Sequence, residues 1–82
     1  MNTPKYLKNL DKITLKKLLE IAKGDLSEDE YWILYYCYVE KRMAENTAAK
    51  LHISRSKYFI SKSIALIKME YVIKKLDKIQ TL

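Results

Sequence analysis

The chain has 82 residues, 49% of them hydrophobic, which suits one small domain and no more. One Gly, one Pro and 32% charged residues favour an all-helical fold. The net charge of +6, with a pI of 9.4, fits an anionic partner, while the single cysteine excludes an internal disulfide.

In chain order, residues 1–12 read as a loose basic arm, and MNTPKYLKNLDK lacks the apolar core of a signal sequence. Thr14 is positioned to cap a helix from about Leu15 to Lys23, with Leu15, Leu18, Leu19 and Ala22 on one face. Gly24 then stands where a C-terminal cap belongs. Ser27 and Glu30 form a capping-box pattern, and Glu28 and Asp29 place negative charge at the positive helix end. The following YWILYYCYV has strand-like aromatic and β-branched content. The strong helix start and the absence of a turn nevertheless predict a helix to about Lys41. Tyr31, Trp32, Tyr35, Tyr36 and Tyr38 point in too many directions for one narrow stripe, so most belong to the core. Cys37, inside this run, reads as a buried reduced thiol. The run is far too short to cross a bilayer, and the expectation is a soluble cytoplasmic protein without a membrane partner.

A short helix from about Glu45 to Leu51 comes next, with Ala48, Ala49 and Leu51 offering a small-residue surface for close packing. His52 and Ile53 make the turn. Ser54 caps a last helix from Arg55 to about Lys78, uninterrupted by Gly or Pro. The expected fold is all-α, with four or five helices and a long C-terminal one.

Charge is segregated along this order. Asp25, Glu28, Asp29, Glu30 and Glu40 fall in residues 24–40, which hold no base. Lys41, Arg42, Lys50, Arg55, Lys57, Lys62 and Lys68 fall in residues 41–68, against Glu45 alone. Most of this positive charge therefore surrounds LHISRSKYF, the turn and the start of the last helix.

Residues 45–69, ENTAAKLHISRSKYFISKSIALIKM, follow the logic of a helix-turn-helix. A small Ala48 lets two helices cross, Ile53 fixes their angle, and a capped second helix presents basic first turns to a groove. The pattern resembles region 4 of bacterial sigma factors, which reads an upstream promoter element. Leu26, Ser27 and Glu30 resemble the start of that region. Glu45, Ala48, Leu51, Ile53 and Ser54 match its helix-turn-helix scaffold, and Ala65, Leu66, Lys68 and Met69 match the end of its recognition helix. Ser54, Tyr58, Phe59, Ala65 and Leu66 are also similar to small phage regulators of the ArpU and RinA type. Sigma factors usually carry Gly where His52 stands, because the turn favours positive φ. They carry polar residues where Phe59 and Ile60 stand.

The resemblance implies a double-stranded-DNA-binding transcriptional regulator, of phage or mobile-element type, with RNA polymerase as a further partner. Arg55, Ser56 and Phe59 would face bases, with Lys57 reading as a phosphate or base contact and Lys62 as a phosphate contact. Lys41, Arg42 and Lys50 would flank the groove. Tyr58 takes the scaffold's buried position. The alternative is an adaptor that engages RNA polymerase or a sigma factor without reading DNA, a role that apolar Phe59 and Ile60 would suit.

No Gly-rich phosphate loop, paired metal ligands or nucleophile with a histidine base is present, so no enzyme activity, metal or cofactor is expected. His52 is the lone histidine. Ala65, Met69, Val72, Leu76 and Ile79 recur at spacings of four and three, the seam of a coiled coil, and predict a homodimer through the last helix. The competing arrangement folds this stripe back on Leu15, Leu18 and Leu19 within one chain.

Overall fold

The computed structural model describes residues 4–80, and the side chains of residues 4–76. Among the described residues there is no strand and there are four α-helices: α1 (Lys12–Ala22), α2 (Glu28–Leu34), α3 (Ala44–Lys50) and α4 (Arg55–Gln80). The all-α expectation holds, with α4 as the long C-terminal helix.

The loose basic arm is corrected for residues 4–10. Lys5–Leu7 forms a single 3-10 turn, Leu7 is buried in the core, and the Tyr6 hydroxyl donates to the Leu66 carbonyl of α4 at 2.7 Å. The lysines dominate this segment's charge, but Tyr6, Leu7 and Leu10 supply an apolar side that packs inward. The start of α1 moves as well. Asp11, not Thr14, is the N-cap, its Oδ1 accepting the Thr14 N–H at 2.7 Å. A carboxylate there satisfies a free donor and faces the positive end of the helix dipole.

Gly24 does not act as a left-handed cap. It lies within a second 3-10 turn, Lys23–Asp25, and no glycine has positive φ. The capping box at α2 forms as its sequence predicts. Ser27 Oγ accepts the Glu30 N–H at 3.2 Å, and Glu30 Oε1 accepts the Ser27 N–H at 2.8 Å. Glu30 Oε1 also takes a hydrogen bond from the Lys68 ammonium at 2.8 Å, tying the start of α2 to the middle of α4.

α2 does not run as a uniform helix to Lys41. It widens into a π-helical turn over Tyr35–Val39, and Lys41 reverses the chain at φ 55°. The extra residue in a π turn rotates the side chains around the axis. Trp32 meets its neighbour Tyr31 and, three and four residues on, Tyr35 and Tyr36 at ring-centroid distances of 5.1, 5.4 and 5.5 Å. Tyr31 is buried and the other aromatics of this run are half-buried, as is Cys37, which is not the fully buried thiol its apolar neighbours suggest.

Two apolar clusters hold the helices. The larger joins Leu7, Leu15, Leu19 and Ala22 to Tyr31, Leu34 and Val39, and closes with Ala65, Met69 and Val72 of α4. The predicted dimer seam is thus corrected: Ala65, Met69 and Val72 are buried inside one chain, and Leu76 packs against the same cluster. Ile79 lies outside the residues whose side chains are described. The four-and-three spacing marks any apolar helix stripe, and α1 and α2 cover this one.

The smaller cluster is Ile33, Ala48 and Tyr58, one from each of α2, α3 and α4, flanked by Ala44, Leu51 and Ile53. Ala48 sits where α3 meets α4. Ala48→Leu is expected to cost about 1–3 kcal/mol through overpacking. The check is thermal unfolding followed by circular dichroism; an unchanged midpoint would show that the crossing has room.

Candidate nucleic-acid interface

The last two helices meet at a turn whose backbone is fully specified. Leu51 N–H donates to the Thr47 carbonyl at 3.0 Å, His52 N–H to Ala49 at 3.2 Å and Ile53 N–H to Ala48 at 3.0 Å. His52 adopts φ 58°, the left-handed conformation that favours glycine and that a histidine adopts more readily than a β-branched residue. Ser54 Oγ then accepts the Lys57 N–H at 3.1 Å, which caps α4.

Tyr58 fixes the direction of the first turn of α4. It is fully buried against Ile33 and Ala48. With Tyr58 pointing inward, helical geometry turns Ser56 and Lys57 outward, and Arg55, at the first position of the helix, is exposed as well. Phe59 lies at the border, edge-on to Tyr58 at 5.1 Å and still 36% exposed. Arg55 lies over the Phe59 ring, 5.8 Å from its centroid, and 3.5 Å from the Glu45 carboxylate. Lys57 lies 3.9 Å from Asp29. Both ion pairs are solvent-exposed, so neither holds its cation strongly.

The flanking bases gather at one ring. Arg42 and Lys50 both lie over Tyr36, at 5.5 and 5.2 Å, and Arg42 Nε donates to Glu40 at 2.7 Å. Lys41 is exposed but lines a different hollow, with Leu7, Leu10, Leu15, Cys37 and Tyr38. A hollow of about 460 Å³ connects this group to α4, lined by Cys37, Arg42, Met43, Ala44, Arg55, Tyr58 and Phe59. Met43, highly exposed at its rim, was not among the residues expected from sequence. No linear signal marks it, because the reversal at Lys41 is what brings it to Phe59. Ser63, exposed one turn beyond Phe59, was also missed, and its Oγ donates to the Phe59 carbonyl at 3.0 Å.

Lys62 is the clear correction. It is only 4% exposed, with its ammonium 5.3 Å from the Tyr38 ring centroid. It stands one turn after Tyr58 and one before Ala65, hence on the inward face, and does not share the surface of Arg55 and Lys57.

Burial, followed by proximity to Cys37, pushes the hydroxyls of Tyr38 and Tyr58 well above the usual tyrosine range, so both stay neutral beneath the basic surface. Glu30 goes the other way. Burial pulls its carboxyl up, but hydrogen bonds from Lys68 and Ser27 outweigh this and leave it below its ordinary value. A carboxyl depressed in the folded state contributes stability above its unfolded pKa, about 4.3, and loses it as pH falls through the lower folded value. Glu30→Gln is therefore expected to be less stable than wild type at pH 7, with the gap closing below about pH 4. Urea midpoints measured across pH check this; a gap independent of pH would remove the charge from the account.

Among the described residues, no helix is long and apolar enough to cross a membrane. What the fold defines is a small all-α domain whose last two helices meet at a tight left-handed turn, with basic residues around the start of the second. No family model matches the chain, and no curated protein or solved structure matches it.

Proposed function

We propose that this protein is a transcriptional regulator that binds double-stranded DNA sequence-specifically through α3, the His52 turn and α4. The observation that carries the reading is the start of α4. Tyr58 and Ala48 anchor it, and a capped, positively polarised helix end presents Arg55, Ser56, Lys57 and Phe59 outward. A helix end of this kind fits the major groove, where Arg55 pairs with a guanine edge and Phe59 meets a thymine methyl. Lys57, Lys50, Arg42 and Lys41 contact phosphates on either side, and Lys62 has no part. The left-handed His52 is in keeping with the resemblance to sigma region 4 and to small phage regulators, since the turn of that motif favours the same conformation.

Selection of bound sequences from a random DNA pool tests the proposal. An enriched motif, with affinity falling steeply as salt rises, is the expected result. Salt-sensitive binding without a motif would remove sequence specificity. Absence of binding would favour the second reading, an adaptor that engages RNA polymerase or a sigma factor. That reading has its own observation, the exposure of apolar Phe59 and Ile60 where a DNA reader of this type carries polar side chains.

A further inference from the structure

The inward stripe of α4 is spent on the chain's own core, yet a second apolar stripe runs along its outer side. Ile60, Ile64, Ile67 and Tyr71 follow at spacings of four, three and four. Ile64 is 43%, Ile67 69% and Tyr71 62% exposed. Three adjacent large apolar residues left in water on one helix mark an interaction surface rather than scattered exposure.

We propose that this outer stripe is the seam of a parallel homodimer, covered by the same stripe of a second copy of the chain. The spacing by itself marks any apolar stripe, but this one is left exposed by the chain's own helices, and it fits alternating core positions of a two-stranded coiled coil. The surface also carries the matching receptacle: Ile67, Glu70, Tyr71 and Lys74 surround a groove of about 210 Å³. These four residues, at intervals of three, one and three, are the hole into which one knob of a facing helix inserts.

The charges beside the stripe choose both partner and direction. With Ile64 and Tyr71 at one core position and Ile67 and then Lys74 at the other, Lys68 and Lys75 fall on one flank and Glu70 on the opposite flank. In a parallel pair, a flanking residue meets the residue five places further along the partner. Glu70 of each copy therefore meets Lys75 of the other, twice per dimer. An antiparallel pair brings like flanks together, setting Lys68 near Lys68 or Ser61, and Glu70 near Glu70 or Ser63. Within one chain Glu70 pairs with Lys74 at 3.3 Å, and the Lys75 ammonium lies 4.6 Å from the Tyr71 ring centroid. Both contacts are at the surface and give way readily to partners across a seam. Parallel pairing places the two α4 N-termini at one end of the assembly, with Ile60 at the mouth. The dimer does not depend on DNA binding and stands or falls separately from it.

Sedimentation of the full chain at micromolar concentration reads the result. Wild type is expected at twice the 9.8 kDa chain mass, and Ile67→Glu at the single-chain mass with its helical circular dichroism retained. Glu70→Lys is expected to lose the dimer, and Glu70→Lys/Lys75→Glu to recover it. In a Cys37→Ser background, Tyr71→Cys is expected to oxidise to a disulfide-linked pair, since residue 71 faces its own copy only in the parallel arrangement. A single-chain mass for wild type throughout the range would overturn the proposal and leave the stripe to a different protein. So would a dimer mass retained by Ile67→Glu, or a dimer that gives no link through position 71.

Discussion

Tyr58→Ala is expected to destabilise the fold by about 3–5 kcal/mol, the usual cost of deleting a fully buried aromatic ring. Tyr58 is the largest member of the smaller cluster and ties α4 to α2 through Ile33 and to α3 through Ala48. Neither neighbour can fill the space it leaves: Ala48 has no side chain to extend, and Ile33 is already enclosed. Domains of this size are commonly stable by only about 5–15 kcal/mol, so the loss consumes much of the total. At about 4–8 °C per kcal/mol, the melting midpoint falls by tens of degrees. Tyr58→Phe keeps the ring and is expected to lose far less. Melting of the two variants side by side separates ring packing from the hydroxyl. A Tyr58→Ala protein melting within a few degrees of wild type would show that the smaller cluster does not hold the turn.

The parts of this fold that were legible in the sequence are those specified by neighbours within four residues. Ser27 with Glu30 and Ser54 with Lys57 are local hydrogen-bonding patterns, and both form. His52 occupies the left-handed position at which the motif it resembles usually has glycine. Ala48 and Tyr58 lie inside, as expected from the sequence. The parts that were not legible depend on which face of a helix another element reaches. Lys62 reads as a surface cation until Tyr38 is known to lie beside it. Met69 and Val72 fit a seam between chains as well as a core within one, and α1 decides the matter by packing there. The basic arm hides Leu7 because charge dominates a short segment's composition, whereas Tyr6, Leu7 and Leu10 dock it. The π turn at Tyr35–Val39 has no breaker to announce it. It is followed by the left-handed Lys41, and the chain then brings Arg42 and Met43 to the hollow they line with Phe59.

The triple variant Arg55→Ala/Lys57→Ala/Lys50→Ala is expected to lose DNA binding almost completely, with the arginine and the two lysines failing in different ways. Arg55→Ala alone should cost about 1–3 kcal/mol on the preferred sequence and much less on others, because a guanidinium reads a guanine edge. Lys57→Ala and Lys50→Ala should weaken all sequences alike and each reduce the salt slope by about one. The intrachain partners do not stand in the way. Glu45 and Asp29 hold Arg55 and Lys57 through exposed contacts of 3.5 and 3.9 Å, worth less than about 1 kcal/mol each. Since Arg55, Lys57 and Lys50 are all exposed, the melting midpoint should remain near that of wild type. Lys62→Ala gives the opposite pattern: its ammonium lies by Tyr38 inside the fold, so stability falls while the salt slope stays. Fluorescence anisotropy on a selected site and on a scrambled one, across a salt series, measures every term. Equal binding by wild type and the folded triple variant would remove the start of α4 from the interface.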